Sequence, residues 1–215
     1  MYKHLDSLLA KAKKKLRAEF NKLGMMGFDE LNVLNTKKVT KAMFDRLLSE
    51  NEKMYKKAAE EAYSKAKKKA EEAGYKEEEE KKLSDEWLIG VLLAYNLVTG
   101  YLYKQEAERK RLRLNEQILT SREYDDRQMF NDSVRKGANL MWTQTMQYGV
   151  TVVDAATLKG FVDMGVKKVR WKTMDDGRDC KECRARNNKI YKISEVPGKT
   201  HYGCRCYLEP IDTKE

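Results

Sequence analysis

Apolar residues in the first part of the chain recur at three- and four-residue intervals. Between Met1 and Leu23 they fall at Leu5, Leu9, Ala12, Leu16, Phe20 and Leu23, one stripe on one face of a helix, and Gly24 and Gly27 close it. A second helix is expected from Asn35 or Thr36, where a capping side chain precedes Val39. It continues through Met43, Leu47, Met54, Ala58, Ala62 and Ala66 to a stop at Gly74. Its stripe thins from large residues to alanines, so the second half is expected to pack lightly or to await a partner helix. The charged run from Glu77 to Lys82 reads as a solvated connection or a helix start. Ser84 then caps a third helix with Trp87, Val91, Tyr95, Val98 and Leu102 along one side, extending as far as Leu119.

A fourth helical pattern covers Asp126 to Tyr148, with Met129, Val134, Ala138, Met141, Trp142 and Thr145 inward and Gly149 at its end. Asp154 is expected to cap a separate short helix, Ala155 to Met164, stopped by Gly165. From Val166 to Trp171 the period shifts toward two, which predicts a strand. Ile190 to Ile193 and Cys206 to Leu208 are its expected partners in a small sheet. The fold class that follows is mainly α. Long helices fill the N-terminal part, residues 1–149, and a small α+β cysteine/histidine module occupies residues 150–215.

Composition agrees with this picture. Charged residues make up 36% of the chain and there are only two prolines, which favours long helices with large solvated faces. The net charge of +10 is spread along the chain, as 30 basic against 24 acidic residues in 1–150 and 14 against 10 in 151–215. Lysine runs such as Lys11, Lys13, Lys14, Lys15 and Arg17 are ordinarily solvated helix faces. The cluster Arg109, Lys110, Arg111 and Arg113 is the candidate contact for DNA phosphates or an acidic partner, against the plainer reading of a salt-bridged exposed face. Any DNA binding by such dispersed charge is expected to be non-specific. The N-terminus lacks the apolar core of a secretory signal, and the most apolar run, Trp87 to Val98, is well short of the ~20 residues that span a bilayer. No membrane role is expected, and a cytosolic site of synthesis favours metal over disulfides.

All four cysteines, Cys180, Cys183, Cys204 and Cys206, lie near the end of the chain, with His201 among them. C-x2-C spacing followed by H-x2-C-x-C offers five ligands for a tetrahedral ion that needs four, and Zn2+ is the expected cofactor, held structurally. One of Cys204 and Cys206 is expected to be idle, and buried or disulfide-bonded thiols are the alternative. Around the cluster, Asp176 and Asp179 are candidates to cap the turn into the first pair, Arg178 and Arg205 to bond those carboxylates, and Trp171 to cover the metal with its ring.

The pattern Trp171, Thr173, Asp176, Arg178, Cys180, Cys183, His201, Cys204, Arg205, Cys206 and Pro210 resembles the C-terminal motif of the MuF-type minor head proteins of tailed bacteriophages, from Val150 onward. The resemblance implies a virion protein of the phage head interior, made in the host cytoplasm. It would act near the portal in procapsid assembly and in DNA packaging or ejection, with the portal protein and capsid interior as partners. A zinc-containing nucleic-acid-binding module without a capsid role is the alternative. No enzymatic activity is expected. A metal-dependent nuclease would need further histidines near an open site, and the other histidine is His4; a thioredoxin-like site would need C-x2-C between a strand and a helix in a parallel sheet, whereas a turn is expected after Cys183.

Overall fold

The computed structural model describes residues 2–26, 33–77, 79–92, 127–175, 179–199, 201 and 203–213. The elements are α1 (Lys3–Met25), α2 (Val33–Glu72), α3 (85–92), α4 (Arg127–Asp163), β1 (Lys168–Lys172), α5 (Lys181–Arg186), β2 (Ile190–Lys192) and β3 (Tyr207–Pro210), with one 3-10 turn at Ile193–Glu195. The protein is mainly helical, with a small antiparallel sheet near the C-terminus, as the periodicities predict. Two compact units divide the described residues. One is drawn from Met1–Ser7, Tyr55–Ile89 and Gln147–Glu215, the other from Leu8–Met54 and Gly90–Met146.

In the second of these units the predicted stripes are the buried ones: Leu9, Leu16, Phe20 and Leu23 of α1, Met43, Leu47 and Met54 of α2, and Ala138, Met141 and Thr145 of α4. Asn51 is the polar residue among them, and its amide donates to the Thr145 hydroxyl at 3.3 Å, so neither group is left unsatisfied. At the periphery Lys15 pairs with Glu50 and Arg46 with Glu19 at 2.6 Å, while the Lys13 ammonium lies 4.9 Å from the Trp142 ring. The Arg46 hydrogen bond holds the Glu19 carboxyl below its usual range.

In the first unit the alanines of α2 are not lightly packed. Ala58, Ala59, Ala62, Ala66 and Ala70 are all buried, together with Tyr55 and Tyr63. A Cβ built on Gly160 of α4 would stand 2.8 Å from the Ala66 Cβ and 2.9 Å from the Tyr63 carbonyl oxygen. Small residues on both helices therefore bring the backbones into close approach, and the taper of the stripe marks the tightest packing. Tyr63 sits at this seam, and its hydroxyl donates to Asp163 at 2.8 Å.

Two helix boundaries differ from expectation. α4 runs unbroken through Gly149 and Asp154 to Asp163. A mid-helix glycine costs only about 1 kcal/mol, and burial of Val150, Val152, Val153 and Ala156 on the same helix outweighs it. In α3 the Ser84 hydroxyl does accept the Trp87 N–H at 3.1 Å, but Leu88 and Leu92 are the buried residues while Trp87 and Val91 are only half-buried. The stops at Gly74 and Gly165 are as expected. Both adopt positive φ, and the next amides, Tyr75 and Val166, reach back to the carbonyls of Ala70 and Phe161.

The sheet has strand order β2-β1-β3, antiparallel throughout, with Val169 opposite Tyr191 and Trp171 opposite Leu208. Side chains two apart on β1 share a face. Val169 packs with Ala66, Ala70, Phe161, Met164 and Val166, and Trp171 packs with Cys183, Cys204 and Cys206. One strand face thus joins the helical core to the cysteine cluster.

The close approach at Gly160 gives a test. Gly160→Ala is expected to destabilise the protein by about 1–3 kcal/mol in urea unfolding, because the overpacked methyl meets backbone and outweighs the helix-propensity gain. Gly90→Ala, with nothing within 4 Å of the added Cβ, is expected to be neutral or stabilising. Equal effects of the two substitutions would show that the seam is not tight.

Candidate metal centre

The C-x2-C pair is shaped by α5 rather than by the turn the sequence suggested. Cys180 is the N-cap, its sulfur accepting the Cys183 N–H at 3.3 Å, and Cys183 lies inside the first turn with its side chain buried. Residues 181–186 are helical, and the turn follows at Asn187 and Asn188. There the Asn188 N–H bonds the Trp171 carbonyl at 2.7 Å and the Asn187 side chain accepts the Thr173 N–H at 3.1 Å, which ties the helix end to β1. The pair does lie at a helix N-terminus, but the antiparallel sheet is not the parallel setting of a thioredoxin-like site.

The second ligand group approaches along the segment leading into β3. Cys204 and Cys206 are buried and Arg205 between them is half-buried, an alternation that turns both sulfurs to one side and the guanidinium to the other. Both thiols line the same cavity. That cavity measures about 80 Å³ and is lined by Cys183, His201, Cys204 and Cys206 together with Met174, Asp179, Gly203 and Arg205.

Ligand atoms of Cys180, Cys183 and His201 lie within 4.8 Å of one another, as do those of Cys183, Cys204 and Cys206. Cys183 belongs to both groups. Its sulfur is 3.5 Å from His201 Nε2 and 3.5 Å from the Cys204 sulfur. Tetrahedral Zn2+, with Zn–S about 2.3 Å and Zn–N about 2.0 Å, requires S···N near 3.5 Å and S···S near 3.8 Å. The donor types and these two distances suit that ion. None of the four cysteines is in a disulfide.

The electrostatics fit as well. Burial pushes the Cys183 thiol far above its ordinary range and raises that of Cys206, so without a counter-charge both hold their protons. A dication reverses this preference. The buried indole Nε1–H of Trp171 has no partner of hydrogen-bonding geometry, yet it acts on Cys206 in the direction of the thiolate, against the larger effect of burial. An N–H in this position is suited to a metal-bound sulfur. Tyr191 meets the Trp171 ring edge-on at 6.5 Å and the Arg186 guanidinium lies 5.4 Å from it, so the ring is fixed beside the cluster. His201 is exposed, and with Cys204 and Cys206 it also lines a wider cleft of about 680 Å³, which gives an ion an entry path.

The supporting residues divide. Asp179, just before Cys180, accepts the Asp175 N–H at 3.1 Å. Arg205 pairs with Asp6. Asp176, Arg178 and the basic cluster Arg109, Lys110, Arg111 and Arg113 lie outside the described residues. Sequence reasoning missed Tyr2, Asp154 and Lys199. Lys199 Nζ donates to the Cys204 carbonyl at 2.9 Å and pairs with Asp154 at 2.5 Å. Burial raises the Asp154 carboxyl while Lys199 opposes the shift. Asp154 suits a helix cap by its local sequence, in which nothing marks a partner so far along the chain.

These features define a mainly helical protein with a small α+β module built around a Cys/His cluster. The chain belongs to the family described as Phage Mu protein F like protein, whose model matches residues 96–209 and so spans the whole cluster. That is the family the cysteine motif resembled, and the match reaches upstream of Val150. Membership points to a head morphogenesis protein of a phage, a component of the virion that associates with other head components, in a structural rather than catalytic family. No curated protein and no solved structure matches the chain. Among the described residues, no helix is long and apolar enough to cross a membrane.

Because Cys183 is common to both ligand groups and Cys180 does not line the cavity, the two cysteines of the C-x2-C pair are expected to differ. Cys183→Ser should abolish Zn2+ retention in native mass spectrometry, and Cys180→Ser should lower it only partly. Equal loss in the two variants would show that the ion is centred on α5 instead.

Proposed function

We propose that this protein is a minor capsid protein of a tailed bacteriophage that acts inside the head near the portal, in procapsid assembly and in DNA packaging or ejection. The observation that carries this reading is the family match across residues 96–209, which includes every candidate ligand. A structural Zn2+ held by four of Cys180, Cys183, His201, Cys204 and Cys206 fixes the C-terminal module, and four protein ligands leave no open position for a catalytic water. The protein therefore works as a structural component and not as an enzyme. Its excess positive charge suits transient, sequence-independent contact with packaged DNA.

The test is made on procapsids purified from infected cells, treated with an amine-reactive crosslinker. The chain is expected among the procapsid proteins, in crosslinks to the portal subunit. Its absence from procapsids, or crosslinks to the outer shell alone, would contradict the proposed site of action.

A further inference from the structure

The segment that carries two of the candidate ligands is held from its outer side by residues at the beginning of the chain. Tyr2 is 1% exposed, and its hydroxyl donates to Asp154 Oδ1 at 2.6 Å and lies 3.1 Å from the Cys206 carbonyl oxygen. The single phenolic proton goes to the closer, charged oxygen. Lys199 Nζ donates to the same hydroxyl at 2.6 Å and to the Cys204 carbonyl at 2.9 Å. Between these two carbonyls, Arg205 pairs with Asp6 and sets its guanidinium 5.3 Å from the Tyr2 ring, while the Lys199 ammonium lies 5.2 Å from it. Each residue from Cys204 to Cys206 is thus in contact with Tyr2, with Asp6 or with the lysine bonded to Tyr2.

We infer that Tyr2 and Asp6 are positioning residues for the metal site, and that seating of the segment Tyr2–Asp6 and binding of Zn2+ strengthen each other. The inference rests on the metal reading above. Its physical basis is the two-residue period of the Cys204–Cys206 segment. When Arg205 is anchored on one side, both sulfurs must point to the other. Released from Asp6 and Tyr2, the segment is free to rotate, and the sulfurs lose their common direction before any ligand is removed. Partners that orient metal ligands in this way typically change affinity by about 10–100-fold. By linkage the bound ion must stabilise the seated segment by the same factor.

The experiment uses the full chain and the variants Tyr2→Phe, Asp6→Asn, their combination, and Asp6→Glu. Zn2+ affinity is measured by competition with a chromophoric chelator, thiolate ligation by the charge-transfer absorption of the Co2+ form, and helix content by circular dichroism. The combined variant should bind Zn2+ about tenfold or more weakly and show a weaker charge-transfer band, with unchanged helix content and partial recovery in Asp6→Glu. In the unmodified chain, Zn2+ should slow hydrogen exchange at amides 5–9. Wild-type affinity and spectrum in the combined variant would overturn the coupling while leaving the metal site standing. If the combined variant loses helix content, the exchange measurement on the unmodified chain decides, and exchange indifferent to Zn2+ overturns the coupling. An unmodified chain that binds no Zn2+ overturns the metal reading and the coupling together.

Discussion

The meeting of Cys183 with Cys204 joins two stretches of chain that share little else. The first comes in on α5, whose six residues are too few to be stable alone. The second comes in on the segment before β3. Their sulfurs stand 3.5 Å apart in a buried position, where each thiol is a weak hydrogen-bonding group and a thiolate would be an uncompensated charge. Either the cluster stays protonated and contributes only packing, or an ion gathers the thiolates and converts the contact into a strong constraint. The rest of the module is arranged around that choice. Trp171 brings an unpartnered N–H beside Cys206, Asp179 accepts the Asp175 N–H ahead of Cys180, and Lys199 fixes the Cys204 carbonyl.

The helical side of the same unit supplies the rigid support. Val169 and Trp171 share one face of β1, so the strand is pinned to Phe161, Met164 and the α2 alanines at one end and faces sulfur at the other. Tight seating of α4 on α2 through Gly160 fixes where β1 begins, because only the turn at Gly165 separates them.

Much of this was legible in the chain because it depends on local period. The stripe from Leu5 to Leu23, the strand at Val169–Trp171 with both its partners, the glycine stops at Gly74 and Gly165, and the grouping of the cysteines with His201 all follow from spacing. What was not legible depends on tertiary contact. Gly149 reads as a stop until the burial of Val152 and Val153 is known. Alanines read equally as loose packing or as a face awaiting a partner helix, until a glycine on the facing helix is seen to meet them. Asp154 and Arg205 have near neighbours that suit a cap or a turn, yet their partners are Tyr2 and Lys199 in one case and Asp6 in the other. In α3 the shift from Trp87 and Val91 to Leu88 and Leu92 is one position, within the ambiguity of a helix that is apolar on several sides.

The central claim is that an ion, and not packing alone, holds the C-terminal module. Limited proteolysis of protein purified without added zinc, with and without a strong chelator under reducing conditions, tests it most directly when metal content is measured on the same sample. The account predicts about one Zn2+ per chain, and chelation that exposes the chain after Lys172 to cleavage while the long helices stay resistant. Negligible metal, or a tail that stays resistant after chelation, would contradict it.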